Sequence, residues 1–303
     1  MRGRDDPFPP RGPGGAPGVR VHSLRGAGYD RGVTVVEPKP AASVLLVRAA
    51  GPGAAEPIEV YLVRRQRAMR FLGGYYAFPG GKVDAGDGAP ESLARCVGLT
   101  AEAAEAVFPG DEYPALAYWV TAVRELLEET GVLLACDAAG RPIDARTAGT
   151  AAAIDRCRQA LLAGQASLAQ VLAREAWWCD LRPLRYLSHF VTPTASPIRF
   201  SARFFLCRLP ADQTPRLYTE ETSEGLWLGP AEGYRRFRAG QMPMAEPAEY
   251  GLAYLAQFES LDALWAAHAD GGGKFHGIVD RIDVFWKDFD WQRPGPSGPA
   301  APC

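Results

Sequence analysis

Apolar positions recur along this chain at two different spacings. The runs ASVLLV (Ala42 to Val47) and EVYLVR (Glu59 to Arg64) are short, rich in strand formers and separated by GPGAAEP, a pattern that predicts a β-hairpin. In FLGGYYAFPGGKVDAGD aromatic residues alternate with glycines and a Pro-Gly-Gly closes the run. Such backbone suits a strand entering a tight loop that must approach something closely. From Ala115 to Thr130 the period changes: Leu116, Trp119, Val120, Val123, Leu126 and Leu127 lie on one helical face, and Gly131 supplies a stop.

Beyond this helix the same reading predicts helices over Ala151 to Leu162, Leu168 to Glu175 and Glu249 to Trp265. It predicts strands over Leu184 to Phe190 and Arg199 to Leu206, on either side of TPTASP, then Gly225 to Leu228 and a late one in DRIDVFWKDF. Strands and helices alternate without an internal repeat, so the expected fold is one α/β (α+β) domain. Residues 1–38 and 291–303, rich in Gly and Pro with few large apolar side chains, are expected to be disordered tails around a domain over 39–290.

Charge narrows the classes of function. Lys and Arg total 33 against 35 Asp and Glu, a net charge of −2, which offers no excess of cations for holding a nucleic-acid backbone. The six cysteines form no CxxC pair, which argues against a zinc site or a disulfide framework and favours a reducing compartment. The first fifteen residues carry charge without an apolar core, and no run of apolar residues is long enough to span a bilayer. A soluble cytoplasmic protein is expected.

The candidate chemistry lies on the helix that precedes Gly131. Glu125, Glu128 and Glu129 fall at i, i+3 and i+4, which stacks three carboxylates on one face. An RELLEET string is also what the wet side of an amphipathic helix looks like. The upstream Gly-Gly loop favours a functional reading: it leaves a carbonyl free for a cation, and Asp84 and Asp87 add carboxylates on the same approach. Oxygen ligands of this kind are what Mg²⁺ or Mn²⁺ prefers.

Gly81, Asp87 and the run Arg124-Glu125-Leu126-Leu127-Glu128-Glu129-Thr130-Gly131-Val132 together resemble the Nudix box, GX5EX7REUXEEXGU, where U is apolar. The second half matches at every fixed position. In the first half Asp87 replaces Glu, and 36 residues separate it from Arg124 where the box has seven, an insertion of 29 residues. The insertion, placed at 88–116, should be partly helical, with Thr100 capping AEAAEAV and Pro90 opening another turn or two. Loop-closure entropy grows only logarithmically with length, so such an excursion can leave the box docked.

A second resemblance precedes the box. Coenzyme A diphosphatases of the Nudix family carry LLTXR(S/A)X3RX3GX3FPGG, and Leu62, Arg65, Arg70, Gly74 and Phe78-Pro79-Gly80-Gly81 fall on its fixed positions, while Tyr61, Val63 and Gln66 depart from it. The resemblance implies an α/β/α sandwich with a mixed sheet and a hydrolase that attacks a diphosphate with Mg²⁺ or Mn²⁺. It implies Gly80, Glu125, Glu128 and Glu129 as metal ligands, Glu125 doubling as a candidate base, and Arg124 as orienting a glutamate by a salt bridge. Arg65, Arg70, Gly74 and Phe78 are the implied substrate contacts. The implied partner is a small nucleotide such as coenzyme A, with a homodimer left open and neither nucleic acid nor membrane expected.

Other residues remain ambiguous in the sequence. Glu220, Glu221 or Glu224 could add a carboxylate from outside the box, or form a solvated acidic turn. His189 reads as a strand histidine with its hydrogen bonds satisfied, and Trp177, Trp178, Tyr186 and Phe190 read as core aromatics. Arg199 and Arg203 share a strand face from which either could reach a phosphate.

Overall fold

The computed structural model describes residues 36–69, 72–194, 196–218 and 222–269, together with the backbone of 275–278. Both expected tails fall almost wholly outside these residues, as does the strand expected in DRIDVFWKDF.

The predicted hairpin is present and longer than expected: β1 (Lys39–Ala49) and β2 (Ile58–Arg65) pair antiparallel with Val47 opposite Val60. The Gly-rich segment that follows yields two short strands, β3 (Tyr76–Ala77) on β2 and β4 (Gly80–Lys82) on β1. The insertion supplies α1 (Pro90–Leu93), β5 (Cys96–Val97) and α2 (Ala101–Val107). Thr100 caps α2 as predicted, its side chain accepting from the Ala103 N–H. The acidic helix, α3, spans Ala115–Thr130, and its C-cap Gly131 is left-handed (φ 72°), a conformation that favours glycine.

The second half of the chain runs β6 (Ala135–Cys136), α4 (Ala148–Leu162), α5 (Leu168–Arg174), β7 (Trp178–Asp180), β8 (Leu184–Val191), β9 (Phe200–Arg208) and β10 (Thr222–Leu228). It closes with α6 (Pro230–Arg238), α7 (Glu246–Leu255), α8 (Leu261–Ala266) and β11 (Phe275–Ile278). The single helix expected from Glu249 to Trp265 is therefore two. The break is set by Ser260, whose side chain accepts from the Ala263 N–H and starts α8 afresh.

The main sheet has the order β10-β2-β1-β9-β8-β11, with β1 parallel to β9, β8 parallel to β11 and the other neighbours antiparallel. A small sheet, β5-β7-β6, ties the insertion to the chain beyond α5. Alternation along β1 explains the layers: Ala42, Val44 and Leu46 pack in the cluster that contains α3, while Leu45 and Val47 pack in the cluster that contains α7. Helices thus cover both faces of a mixed sheet, the expected α/β/α sandwich. No helix among the described residues is long and apolar enough to cross a membrane.

Candidate active site

The site grows from α3. Its apolar stripe is buried against the sheet, and this rotation sends Glu125, Glu128 and Glu129 into a cavity of about 710 Å³ together with Gly80, Gly81 and Asp84. Glu129 is tied to the glycine loop directly, its Oε2 accepting from the Gly80 N–H at 3.1 Å. Gly81 sits so close to the helix that a Cβ there would overlap the Glu125 carboxylate. Glycine here leaves the Glu125 carboxylate in its place.

Arg124 stands at the centre of the acidic group. Its Nη1 donates to Glu125 Oε1 at 2.8 Å and to Glu128 Oε2 at 3.1 Å, and its Nη2 donates to the Lys82 carbonyl at 2.7 Å. Asp87, 2 % exposed, accepts from Arg124 Nε and Nη2 and from the Thr121 hydroxyl, and its Oδ2 also accepts from the Asp84 N–H. The Asp87 carboxylate is thus consumed by Arg124 and Thr121 and faces away from the role of cation ligand suggested by its position in the sequence. Asp84, 67 % exposed at its side chain and 3.8 Å from Arg124, keeps its carboxylate at the cavity.

Burial raises the Glu125 carboxyl, against the pull of Arg124, to about 7, and raises Glu128 as well. One guanidinium shared among Asp87, Glu125 and Glu128 does not neutralise the cluster. The carboxylates of Asp87, Glu125, Glu128 and Glu129 thus outnumber the guanidinium set among them.

Comparison with known proteins agrees with this geometry. A family model, the NUDT19 Nudix domain, matches residues 38–255. The chain belongs to this Nudix family. It is 29 % identical over 273 residues to the acyl-coenzyme A diphosphatase NUDT19 of Gallus gallus, covering 76 % of this chain and 71 % of that protein. It is 26 % identical over 207 residues to putative nudix hydrolase 7 of Caenorhabditis elegans, covering 67 % of this chain and 57 % of that protein. Among solved structures it matches a NUDIX hydrolase from Alicyclobacillus acidocaldarius with a TM-score of 0.64 and 31 % identity, over 76 % of this chain and 96 % of the other. The chain is a Nudix diphosphatase.

Nudix hydrolases generally use divalent metals. Among the described residues no three His, Cys, Asp or Glu side chains already converge as a metal-holding group. The donor set nevertheless fits a hard cation: it is all oxygen, it lies on one helix face, and its carboxylates outnumber the guanidinium that pairs with them.

The substrate contacts implied by sequence separate in space. Arg65 and the buried Phe78 line the cavity. Gly74 does not; it closes the turn before β3 with φ 81°, donating its N–H to the Arg65 carbonyl and accepting from Arg64 Nε. Arg70 lies outside the described residues, as do Glu220 and Glu221. Glu224 is turned to Tyr76, whose hydroxyl donates to it at 2.8 Å, with Arg64 at 3.8 Å, and is not part of the cavity lining.

The two β9 arginines do not reach the site. Arg199 donates to the carbonyls of Val36 and Thr192, and Arg203 lies over the rings of Phe108 and Tyr118. His189 pairs with Ser201 Oγ at 2.8 Å, as a satisfied strand histidine should. Tyr186 and Phe190 are both core as expected, and Phe190 also lines the cavity.

Sequence reasoning missed Arg158 and Tyr218. Arg158, 1 % exposed, lines the cavity from α4, donating its Nε to the Glu128 carbonyl at 2.7 Å with its guanidinium 3.2 Å from the Tyr218 ring centroid. Its signal was available: it lies four residues after Ile154, on the buried face of α4.

Proposed function

We propose that this Nudix hydrolase cleaves the diphosphate of coenzyme A or an acyl-coenzyme A, giving the 4′-phosphopantetheine moiety and adenosine 3′,5′-bisphosphate. The observation that carries this reading is one cavity of about 710 Å³, lined by the carboxylates of α3, Gly80 and Arg65, that is large enough for a substrate longer than its diphosphate. The similarity to a curated acyl-coenzyme A diphosphatase supports it.

In this reading Glu128 and Glu129 would hold Mg²⁺ or Mn²⁺ together with the Gly80 carbonyl, with Glu125 as a further ligand or as the base. A cation so held would stabilise charge on the phosphoryl oxygens and make the attacking water more acidic. Water adds to one phosphorus as the bridging P–O bond breaks. As base, Glu125 would take the proton that the water gives up. Arg124 orients Glu125 and Glu128, and Arg65, which lines the same cavity, binds phosphate. The catalytic domain is taken as 39–290, with 88–116 inserted in the box. Five described cysteines are free thiols, which suits the cytoplasm.

The test is turnover by the full chain with Mg²⁺ or Mn²⁺ on a panel of coenzyme A, acyl-coenzyme A, ADP-ribose and a dinucleotide, read by product mass. Adenosine 3′,5′-bisphosphate from the coenzyme A species is the expected product. AMP from ADP-ribose, with coenzyme A left intact, would move the assignment to the nucleoside diphosphate sugars.

A further inference from the structure

The cavity does not end at the acidic cluster. Strand register lays a transverse row across the sheet: Lys82 of β4 is opposite Ala41 of β1, Ala41 opposite Ala202 of β9, and Ala202 opposite Phe190 of β8. Register partners project from the same face, so two alanines floor a channel that leads from the glycine loop to an aromatic end. Phe200 and Phe204, two residues to either side of Ala202, flank that floor, and Pro247 in the first turn of α7 faces the same space. Ala202 is only partly buried, so its methyl group meets the open channel.

This end carries almost nothing for a phosphate to bind. Around Phe190, Pro193, Phe200, Phe204 and Pro247 its polar members are Thr192, Ser196 and Glu246, none of them a cation, and it is continuous with the end that holds the carboxylates. A substrate with its diphosphate at α3 is best served by placing an apolar portion here, because an anion beside Glu246 and the phenylalanines would lose its hydration without gaining a cation. From this register and lining we infer that the channel over Ala41 and Ala202 receives the hydrocarbon chain of an acyl thioester, and that Ala202, between Phe200 and Phe204, sets the length of chain accepted. The inference rests on the substrate reading above and extends it from the coenzyme to the group it carries.

The experiment compares kcat/KM for free coenzyme A with that for acetyl-, octanoyl- and palmitoyl-coenzyme A in the wild-type chain, Ala202→Phe and Phe200→Ala. Filling the floor should lower the octanoyl-to-free ratio by about tenfold or more, since even a methylene in an apolar pocket changes selectivity about 10-fold or more. Opening the wall with Phe200→Ala should raise the palmitoyl-to-octanoyl ratio, which keeps the test alive if Ala202→Phe does not fold. Ratios that stay fixed in both variants, with every coenzyme A species still hydrolysed, overturn the chain-length assignment alone. A uniform fall across all four substrates overturns it too, by placing the nucleoside in the channel. A wild-type chain that hydrolyses none of them overturns the substrate reading and this inference together.

Discussion

Asp87 and Arg124 form a buried pair across 37 residues of sequence, with Arg124 Nη2 at 2.8 Å and Nε at 2.9 Å from the Asp87 oxygens. The pair closes the Nudix box over its insertion. Replacing Asp87 by Asn would leave a guanidinium at 6 % exposure without its principal anion. Breaking a buried pair in this way costs about 3–5 kcal/mol, so urea denaturation of Asp87→Asn should show a loss of that order. Wild-type stability in this variant would mean that Glu125 and Glu128 suffice to hold Arg124.

Glu128→Gln tests the acidic cluster. It removes one anion from a set in which burial already raises the carboxyls, so the fold should survive. Activity with Mg²⁺ should fall about a hundredfold or more, the equivalent of about 3 kcal/mol of transition-state stabilisation. Full activity would remove Glu128 from the reaction.

Glu125 links stability to pH in the metal-free protein. Its carboxyl is raised from 4.5 to about 7 by burial, so the native state holds the proton more tightly than the unfolded chain does. The contribution of Glu125 to stability is then greatest below about pH 4.5, shrinks as pH rises from there through about 7, and is flat above, a span of about 3 kcal/mol. Glu125→Gln should therefore raise the metal-free Tm at pH 8 and leave it almost unchanged at pH 4, while abolishing turnover. A Tm difference of equal size at both pH values would contradict the linkage.

Gly81→Ala should injure activity more than stability. The added methyl meets the far end of the Glu125 side chain, which can swing aside at little cost to the fold but cannot then keep its place. A loss of kcat of about tenfold or more with a Tm within a few degrees is expected, measured on the same preparation. Equal kcat in the two proteins would show that the close approach has no catalytic consequence.

The parts of this molecule that could be read from sequence are those in which one period governs many residues. The bounds of α3 follow from its apolar stripe and Gly131, and the hairpin follows from two runs and a turn. By contrast, β5 and β6 are two residues long and have no period to detect, so the small sheet was invisible. The segment PAEGYRRFR of α6 is rich in charge, and only its register against β2 and α7 reveals it.

The site divides in the same way. Glu125, Glu128 and Glu129 share a helix face and were legible at once, whereas Phe190, Phe200 and Tyr218 reach the cavity from separate strands and loops. Asp87 was misread because a carboxylate next to a glycine loop looks like a ligand until its guanidinium partner, far along the chain, is seen.

The contact between Asp87 and Arg124 makes the length of the detour between them a free variable. Side chains, not peptide continuity, bring the two halves into register, so residues could be added on the exposed side of the detour without moving a reacting atom as long as Ala104 and Phe108 keep their places in the core against α3. A foreign peptide grafted at that place would ride on the enzyme as a passenger.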